Sequence, residues 1–287
     1  MCAPTAHDVH AFGADVIDPG AVLTWGMPRL RDLPWRRERD PWAILVAEVM
    51  LQQTQAHRVI PKWEAFVAAF PTPAHCAAAS LGEVLRLWQG LGYPRRARNL
   101  RAAAEAIVDR HGGAVPDELE SLTALPGIGP YTARAVLAFA FERDVAVVDT
   151  NIARVLARTA GTRLTARQAQ AAADELVPRD EGWAWNQILM DLGALVCRPA
   201  PNCVECPLDS SCRWALAGRP RPDPATGSAG VSTSQSRFEG SDRQARGRVL
   251  AVLVEGSVPV LQFDDRIVAS LVADGLVVVT DGVASLP

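Results

Sequence analysis

Apolar residues recur at helical spacing from about residue 40 to about residue 200, and an alternating, strand-like pattern emerges only after about residue 245. One block runs through Ile44, Leu45, Val46, Ala47, Val49, Met50 and Leu51, behind an Asp40–Pro41 pair suited to a helix cap and first turn. A helix this apolar is expected to be buried, and Glu48 stands in its middle as its only charge. Further helical patterns span about Leu81 to Leu91, Arg95 to Arg110, Ile152 to Ala160, Ala166 to Leu176 and Trp183 to Leu195. The chain is therefore expected to be mainly α. Beyond RPRPDPATGSAGVSTSQS, whose composition predicts a flexible linker, a helical FDDRIVASLVADG and a hairpin-like LVVVTDGVASLP predict a small α+β, winged-helix-like segment. The expected organisation is a loose tail over 1–20, a helical domain over 21–218, a linker over 219–238 and the small segment over 239–287.

The stretch LTALPGIGPYTARAVLAFAFERDVAVVDTN, Leu122 to Asn151, predicts a short helix, a tight turn, a long apolar helix and then Asp149. Gly127 and Gly129 let the backbone turn without a Cβ clash, and Pro130 suits the first helical turn. Such a turn offers backbone N–H groups of Gly127, Gly129 and Tyr131 to an anion such as a nucleic-acid phosphate; an ordinary helix–helix turn is the alternative. Burial of Glu48 would hold a proton on its carboxyl, as a general acid needs; a structural pair with an arginine is the plainer reading. Gln52, Gln53 and Thr54 form a polar tip beyond the apolar helix, placed either to read base edges or to cap it. Tyr93, in Gly90-Leu91-Gly92-Tyr93-Pro94 beside Arg95, Arg96 and Arg98, suggests a wedge-and-phosphate surface or simply solvated arginines.

Charge changes the picture little. The formal net charge is -3, so any contact with nucleic acid must come from a local patch. Nearly all positive charge is arginine, the only lysine being Lys62. No apolar run is long enough to span a membrane, and MCAPTAHDVHAFGADV lacks the pattern of a signal peptide, so a cytoplasmic protein is expected, and with it a monomer.

The cysteines add more. Cys197, Cys203, Cys206 and Cys212 crowd into VCRPAPNCVECPLDSSC, with Cys2 and Cys76 as ordinary thiols elsewhere. In the expected compartment such a cluster suits metal better than disulfides. Four thiolates can hold zinc or an iron–sulfur cluster; one CxxC flanked by single cysteines, rather than two separated CxxC knuckles, favours the cluster.

Taken together, LPGIGPYTA, VVDTN and the four-cysteine loop resemble the helix-hairpin-helix DNA glycosylases, whose fold is two-lobed and, in one branch, ends in a 4Fe-4S cluster loop. LPWR, AEVMLQQTQ, GLGY and the NQILMDLGALVC stretch are similar to the MutY family of adenine glycosylases within that branch, over roughly Leu23 to Trp214. The resemblance implies double-stranded DNA carrying adenine opposite 8-oxoguanine or guanine as the partner. It implies Glu48 as the acid that protonates the leaving adenine and Asp149 as the carboxylate that stabilises the sugar cation, with Tyr131 and Asn151 supporting them. Trp35, Arg36 and Gln187 would wall the adenine pocket; Gln53, Thr54 and Tyr93, with Gln52 beside them, would contact the opposing base. Cys197, Cys203, Cys206 and Cys212 would hold the 4Fe-4S cluster.

The chemistry stands without the resemblance. Breaking an N-glycosidic bond needs a proton for the base and negative charge beside the developing cation, on a base taken out of the stack. A glycosylase–lyase also needs an amine after the hairpin, where Tyr131 stands instead. Two departures from the family are visible: the spacing from Cys197 to Cys203 is one residue shorter than usual, and too little chain follows the linker for the Nudix-like domain the family usually carries. A thymine–guanine mismatch glycosylase and a non-catalytic iron–sulfur DNA-binding module are the competing readings.

Overall fold

The computed structural model describes residues 17–228 and 237–287. Its helices are α1 (Pro19–Gly26), α2 (Pro41–Leu51), α3 (Ala56–Ala69), α4 (Pro73–Ala78), α5 (Leu81–Trp88), α6 (Arg95–His111) and α7 (Leu119–Thr123). They continue with α8 (Pro130–Phe139), α9 (Thr150–Ala160), α10 (Ala166–Leu176), α11 (Gly182–Asp191), α12 (Arg213–Leu216), α13 (Asp242–Glu255) and α14 (Asp265–Ala273). Three short strands, β1 (Val258–Pro259), β2 (Val278–Thr280) and β3 (Val283–Ser285), lie in the C-terminal segment. The chain divides into two compact units, one holding 33–136 and 237–287, the other 17–32 and 137–228. Among the described residues no helix is long and apolar enough to cross a membrane.

In the first unit α2 is the buried axis. Asp40 accepts from the Ala43 amide at 2.9 Å and Pro41 fills the first turn, so the helix starts where its free N–H groups find a partner. Nine of its eleven residues are buried, Glu48 among them. Trp42 and Trp63 tie it to its neighbours, their indole N–H groups donating to the carbonyls of Phe70 and Ala43 at 2.8 Å. α5 starts on a Ser80–Glu83 capping box. The short hairpin forms as expected: β2 and β3 pair around Asp281–Gly282, and the sheet order is β1-β3-β2. All three strands lie beyond residue 245, as expected. Ahead of them Ser241 caps α13, a helix that buries Val249 and Leu253, one turn apart.

In the second unit Ile17, Val22, Ile152, Leu156, Trp185 and Ile188 belong to one core. Ile17 is fully buried and α1 follows it, so the packed chain begins before Gly20; residues 1–16 lie outside those described. A Cβ on Gly26 would come within 2.2 Å of Ile188, which fixes how closely α1 approaches α11. After α11 the chain makes a π-helical turn, Leu192–Val196, that delivers Cys197. A Cβ on Gly193 would meet Asn151 Cβ at 2.6 Å, so this turn lies directly on the start of α9.

Candidate active site

Glu48 sits at the centre of α2, only 5% exposed. The hydroxyl of Tyr131, in the first turn of α8, donates to Glu48 Oε2 at 3.3 Å. One helical turn along α2, Gln52 donates to the Thr132 hydroxyl at 3.2 Å, so two successive residues of the hairpin helix face the end of α2. The hairpin joins α7 to α8. Gly127 is left-handed (φ +75) and a Cβ there would stand 2.6 Å from Asn99 Cβ, so conformation and close approach both demand glycine. Gly129 differs: among the described residues, its chain neighbours apart, nothing lies within 4 Å of where its Cβ would be.

The expected polar tip lies beyond α2, which ends at Leu51 with Gln52 as its cap rather than continuing through Thr54. Gln53 (φ 55) and Tyr93 (φ 49) both hold left-handed backbones, which side-chain-bearing residues seldom adopt. Arg96 brings the two together. It donates to the carbonyls of Val49, Met50 and Gln52 at 2.9, 2.9 and 2.5 Å, to the Thr54 hydroxyl at 3.1 Å, and to the carbonyls of Leu91 and Gly92 at 3.2 and 3.1 Å. Its guanidinium also lies over the rings of Trp88 and Tyr93. Burial lowers its pKa to about 10. The arginines beside Tyr93 are thus not a free phosphate-binding surface: Arg96 caps α2, Arg95 pairs with Asp274, and Arg98 donates to the Asp274 carbonyl. Trp35 and Arg36, in the 3-10 turn Pro34–Arg36, are buried, Trp35 standing edge-on to Trp63 at 6.0 Å.

The second unit holds Asp149 as the N-cap of α9. Its carboxylate accepts from the Ile152 amide at 2.7 Å and from Asn151 Nδ2 at 2.8 Å. Asn151 Oδ1 in turn accepts from Arg154 at 2.8 Å, and Arg154 also donates to the carbonyls of Gly193 and Cys197, both at 2.6 Å. A continuous hydrogen-bonded chain therefore runs from Asp149 to the first cysteine. Burial pushes the Asp149 carboxyl above the usual carboxylate range, although the bonds from Ile152 and Asn151 and the charge of Arg154 work against it. Gln187, on α11, is buried in this unit.

Cys197, Cys203, Cys206 and Cys212 line one recess with Arg158, Leu208 and Trp214. Burial raises the thiols of Cys197 and Cys212 and pushes Cys206 up to about 12. Among the described residues no three His, Cys, Asp or Glu are gathered closely enough to hold a single metal ion. Arg158, 2% exposed, donates to Cys197 Sγ at 3.4 Å, to the Arg198 carbonyl at 2.6 Å and to Asp223 at 2.6 Å, and stacks over Trp214. Asp223 and buried Ala225 and Ser228 belong to the stretch whose composition reads as linker. Cys76 is buried apart from this group and its thiol is pushed up to about 12; Cys2 lies outside the described residues.

Sequence reasoning placed Arg96 on a surface patch and passed over Arg154, Arg158 and Asp223. A signal for two of them exists: Arg154 and Arg158 are one turn apart on a helix otherwise buried, and like charges so placed repel unless they share acceptors.

This arrangement belongs to a known class of DNA-repair fold. Residues 46–179 match the HhH-GPD superfamily of base excision DNA repair proteins. The structure is similar to that of a thermostable thymine-DNA glycosylase, with a TM-score of 0.67 and 29% identity over 71% of this chain and 97% of that one. It is similar in fold to endonuclease III in a non-covalent DNA complex, with a TM-score of 0.62, 24% identity, and coverage of 71% of this chain and 97% of that one. In sequence it is 43% identical to an adenine DNA glycosylase of Mycobacterium tuberculosis, over 93% of this chain and 92% of that protein. The chain belongs to the adenine DNA glycosylase family.

Proposed function

We propose that this chain is a monofunctional glycosylase that removes adenine mispaired with 8-oxoguanine or guanine from double-stranded DNA. The observation that carries the reading is the contact between buried Glu48 and the hydroxyl of Tyr131, at the hairpin position where lyase chemistry needs an amine. In this reading Glu48 protonates the adenine as the bond from its nitrogen to the sugar C1′ breaks. Asp149 balances the charge on the sugar, and water adds to C1′. Tyr131 orients the acid and Asn151 the carboxylate. Trp35, Arg36 and Gln187 bound the flipped adenine, and Gln52, Gln53, Thr54 and Tyr93 meet the base opposite. Gly127 shapes the hairpin, while the open space at Gly129 leaves room for a phosphate beside the hairpin amides, those of Gly127, Gly129 and Tyr131.

The four cysteines fit a 4Fe-4S cluster. All four line one recess and supply four thiolates, the donor set such a cluster takes. Burial keeps these thiols protonated, and the iron of such a cluster would bind them as thiolates, releasing the protons to solvent. A bound cluster would cross-link the loop through Cys197, Cys203, Cys206 and Cys212 and make it rigid. The chain's own contribution is Arg158, which holds Cys197 in place, and Arg154, which joins that cysteine's carbonyl to Asn151.

The test is single-turnover base release from duplexes holding adenine opposite 8-oxoguanine, adenine opposite guanine, and thymine opposite guanine. Adenine release without strand cleavage, fastest opposite 8-oxoguanine, is expected. Release of thymine instead would move the assignment toward the reading that the thymine-DNA glycosylase likeness favours. Binding without release from any duplex would leave only a DNA-binding module. Glu48→Gln is expected to slow release by roughly 10²–10⁴-fold while binding persists.

A further inference from the structure

The C-terminal segment has no assigned task, yet it reaches the loop that carries Tyr93. Arg243, on α13, donates from Nη1 to the Tyr93 hydroxyl at 3.1 Å. Tyr93 holds a left-handed backbone, a conformation a bulky aromatic keeps only where its surroundings enforce it. Two arginines provide that enforcement, Arg96 lying over the ring at 5.5 Å and Arg243 holding the hydroxyl at its far end. A second set of bonds ties α13 and the end of α14 to the first turn of α6, the helix that directly follows the loop. Asp274, at the end of α14 and only 6% exposed, accepts from Arg246 of α13 and from Arg95 of α6 through its two carboxylate oxygens. Its carbonyl accepts from Arg98.

We propose that Arg243 is a positioning residue for recognition of the base opposite the adenine: by holding the Tyr93 hydroxyl it sets how well the protein separates 8-oxoguanine from guanine. The inference rests on the glycosylase reading above and on Tyr93 meeting the opposing base. The two bases differ by a C8 carbonyl and the proton on N7, a difference an aromatic neighbour senses only if its ring is held in a fixed orientation. A tyrosine with an unheld hydroxyl swings about its side-chain torsions; one bonded at the hydroxyl and stacked on its face does not. The small C-terminal segment thus contributes to recognition indirectly, through a residue of the helical domain.

The experiment measures single-turnover adenine release and duplex affinity opposite 8-oxoguanine and opposite guanine, for the full-length protein and for Arg243→Met, Tyr93→Phe and the double variant. Each single change is expected to cut the preference for 8-oxoguanine about tenfold, the scale of one hydrogen bond to a charged group. The double variant should lose no more than either single one, because both changes delete the same bond. Arg243→Lys, which still donates, should keep most of the preference. Undiminished preference in Arg243→Met, or losses that add in the double variant, overturns the proposal. Leu261→Ser, at a 90% exposed position of the same segment, is the control in which neither preference nor Tm should change. Should Arg243→Met fail to fold, Tyr93→Phe removes the bond from the other side with a single atom. If the unaltered protein releases no adenine from either duplex, the glycosylase reading itself fails, an outcome distinct from a wild-type preference that survives the loss of Arg243.

Discussion

Asp149 is asked to be both a helix cap and a charge. As a cap it accepts from Ile152, and asparagine would serve there equally well. As a charge it is costly, because burial raises its pKa. The linkage follows from that direction. The folded chain holds the proton more tightly than the unfolded chain, so the stability Asp149 lends is present below the unfolded value of about 3.9 and is lost as pH rises through the folded value. Asp149→Asn should therefore melt above the parent protein at pH 7, the gap closing as pH falls below about 4. The same variant should slow adenine release at least about a hundredfold, since the charge beside the cation is gone while the shape remains. A wild-type rate would remove Asp149 from the mechanism; a gap in Tm that persists in acid would refute the linkage. At this scale the carboxyl groups are legible in the sequence, because a lone charge in an apolar helix, or just after one, costs too much to bury for packing alone to place it there. The arginines are not. Arg96 looks like one of a surface trio, and only the folded chain shows its guanidinium turned inward onto the end of α2.

Element boundaries divide in the same way. α10 matches its expected span from Ala166 to Leu176, and α6 runs from Arg95 one residue beyond, to His111, where capping, charge and periodicity agree. α5 stops at Trp88 rather than Leu91 because the chain turns into left-handed Gly90, and α2 stops at Leu51 just before left-handed Gln53. Both shortfalls come from the loops that carry Gln53 and Tyr93, where left-handed backbone overrides local helix propensity. Residues 245–255, dense in valine and leucine, carry no clear period, and the Ser241 cap with the Val249–Leu253 pair decides for helix. The hairpin glycines offer a test at this scale. Gly127→Ala must force both a positive φ and a contact at 2.6 Å, so a stability loss of about 1–3 kcal/mol is expected in denaturant unfolding. Gly129→Ala meets no atom of the chain and should leave stability nearly unchanged. If the hairpin receives a phosphate, that methyl should instead weaken duplex binding. Equal stability losses for the two variants would mean that the open space at Gly129 has no bearing on ligand.

For the whole chain, composition is a poor guide to what packs. The proline- and serine-rich stretch after residue 218 reads as linker, yet Asp223 holds the buried guanidinium of Arg158, and Ser228 accepts from the Leu164 amide at 3.1 Å while donating to the Pro224 carbonyl. A short run of turns closed by one buried ion pair leaves almost no periodic trace. The pair nevertheless braces the cysteine loop, because Arg158 is also the donor to Cys197 and to the carbonyls of Arg198 and Pro199. Burial works to raise the Asp223 carboxyl, but the bonds from Arg158 and the Ala225 amide more than offset it and its pKa is lowered. Its contribution to stability is accordingly present above the ordinary carboxylate range and lost as pH falls through the lowered folded value. Asp223→Asn leaves a 2% exposed guanidinium without its counter-charge, and a loss of about 1–3 kcal/mol is expected at pH 7. Because that guanidinium positions Cys197, the variant should also purify with less iron per chain and lose its visible absorbance faster under a chelator. Full iron content with a lowered Tm would confine Asp223 to stability. Full iron content with an unchanged Tm would show that the segment after residue 218 behaves as the linker its composition suggests.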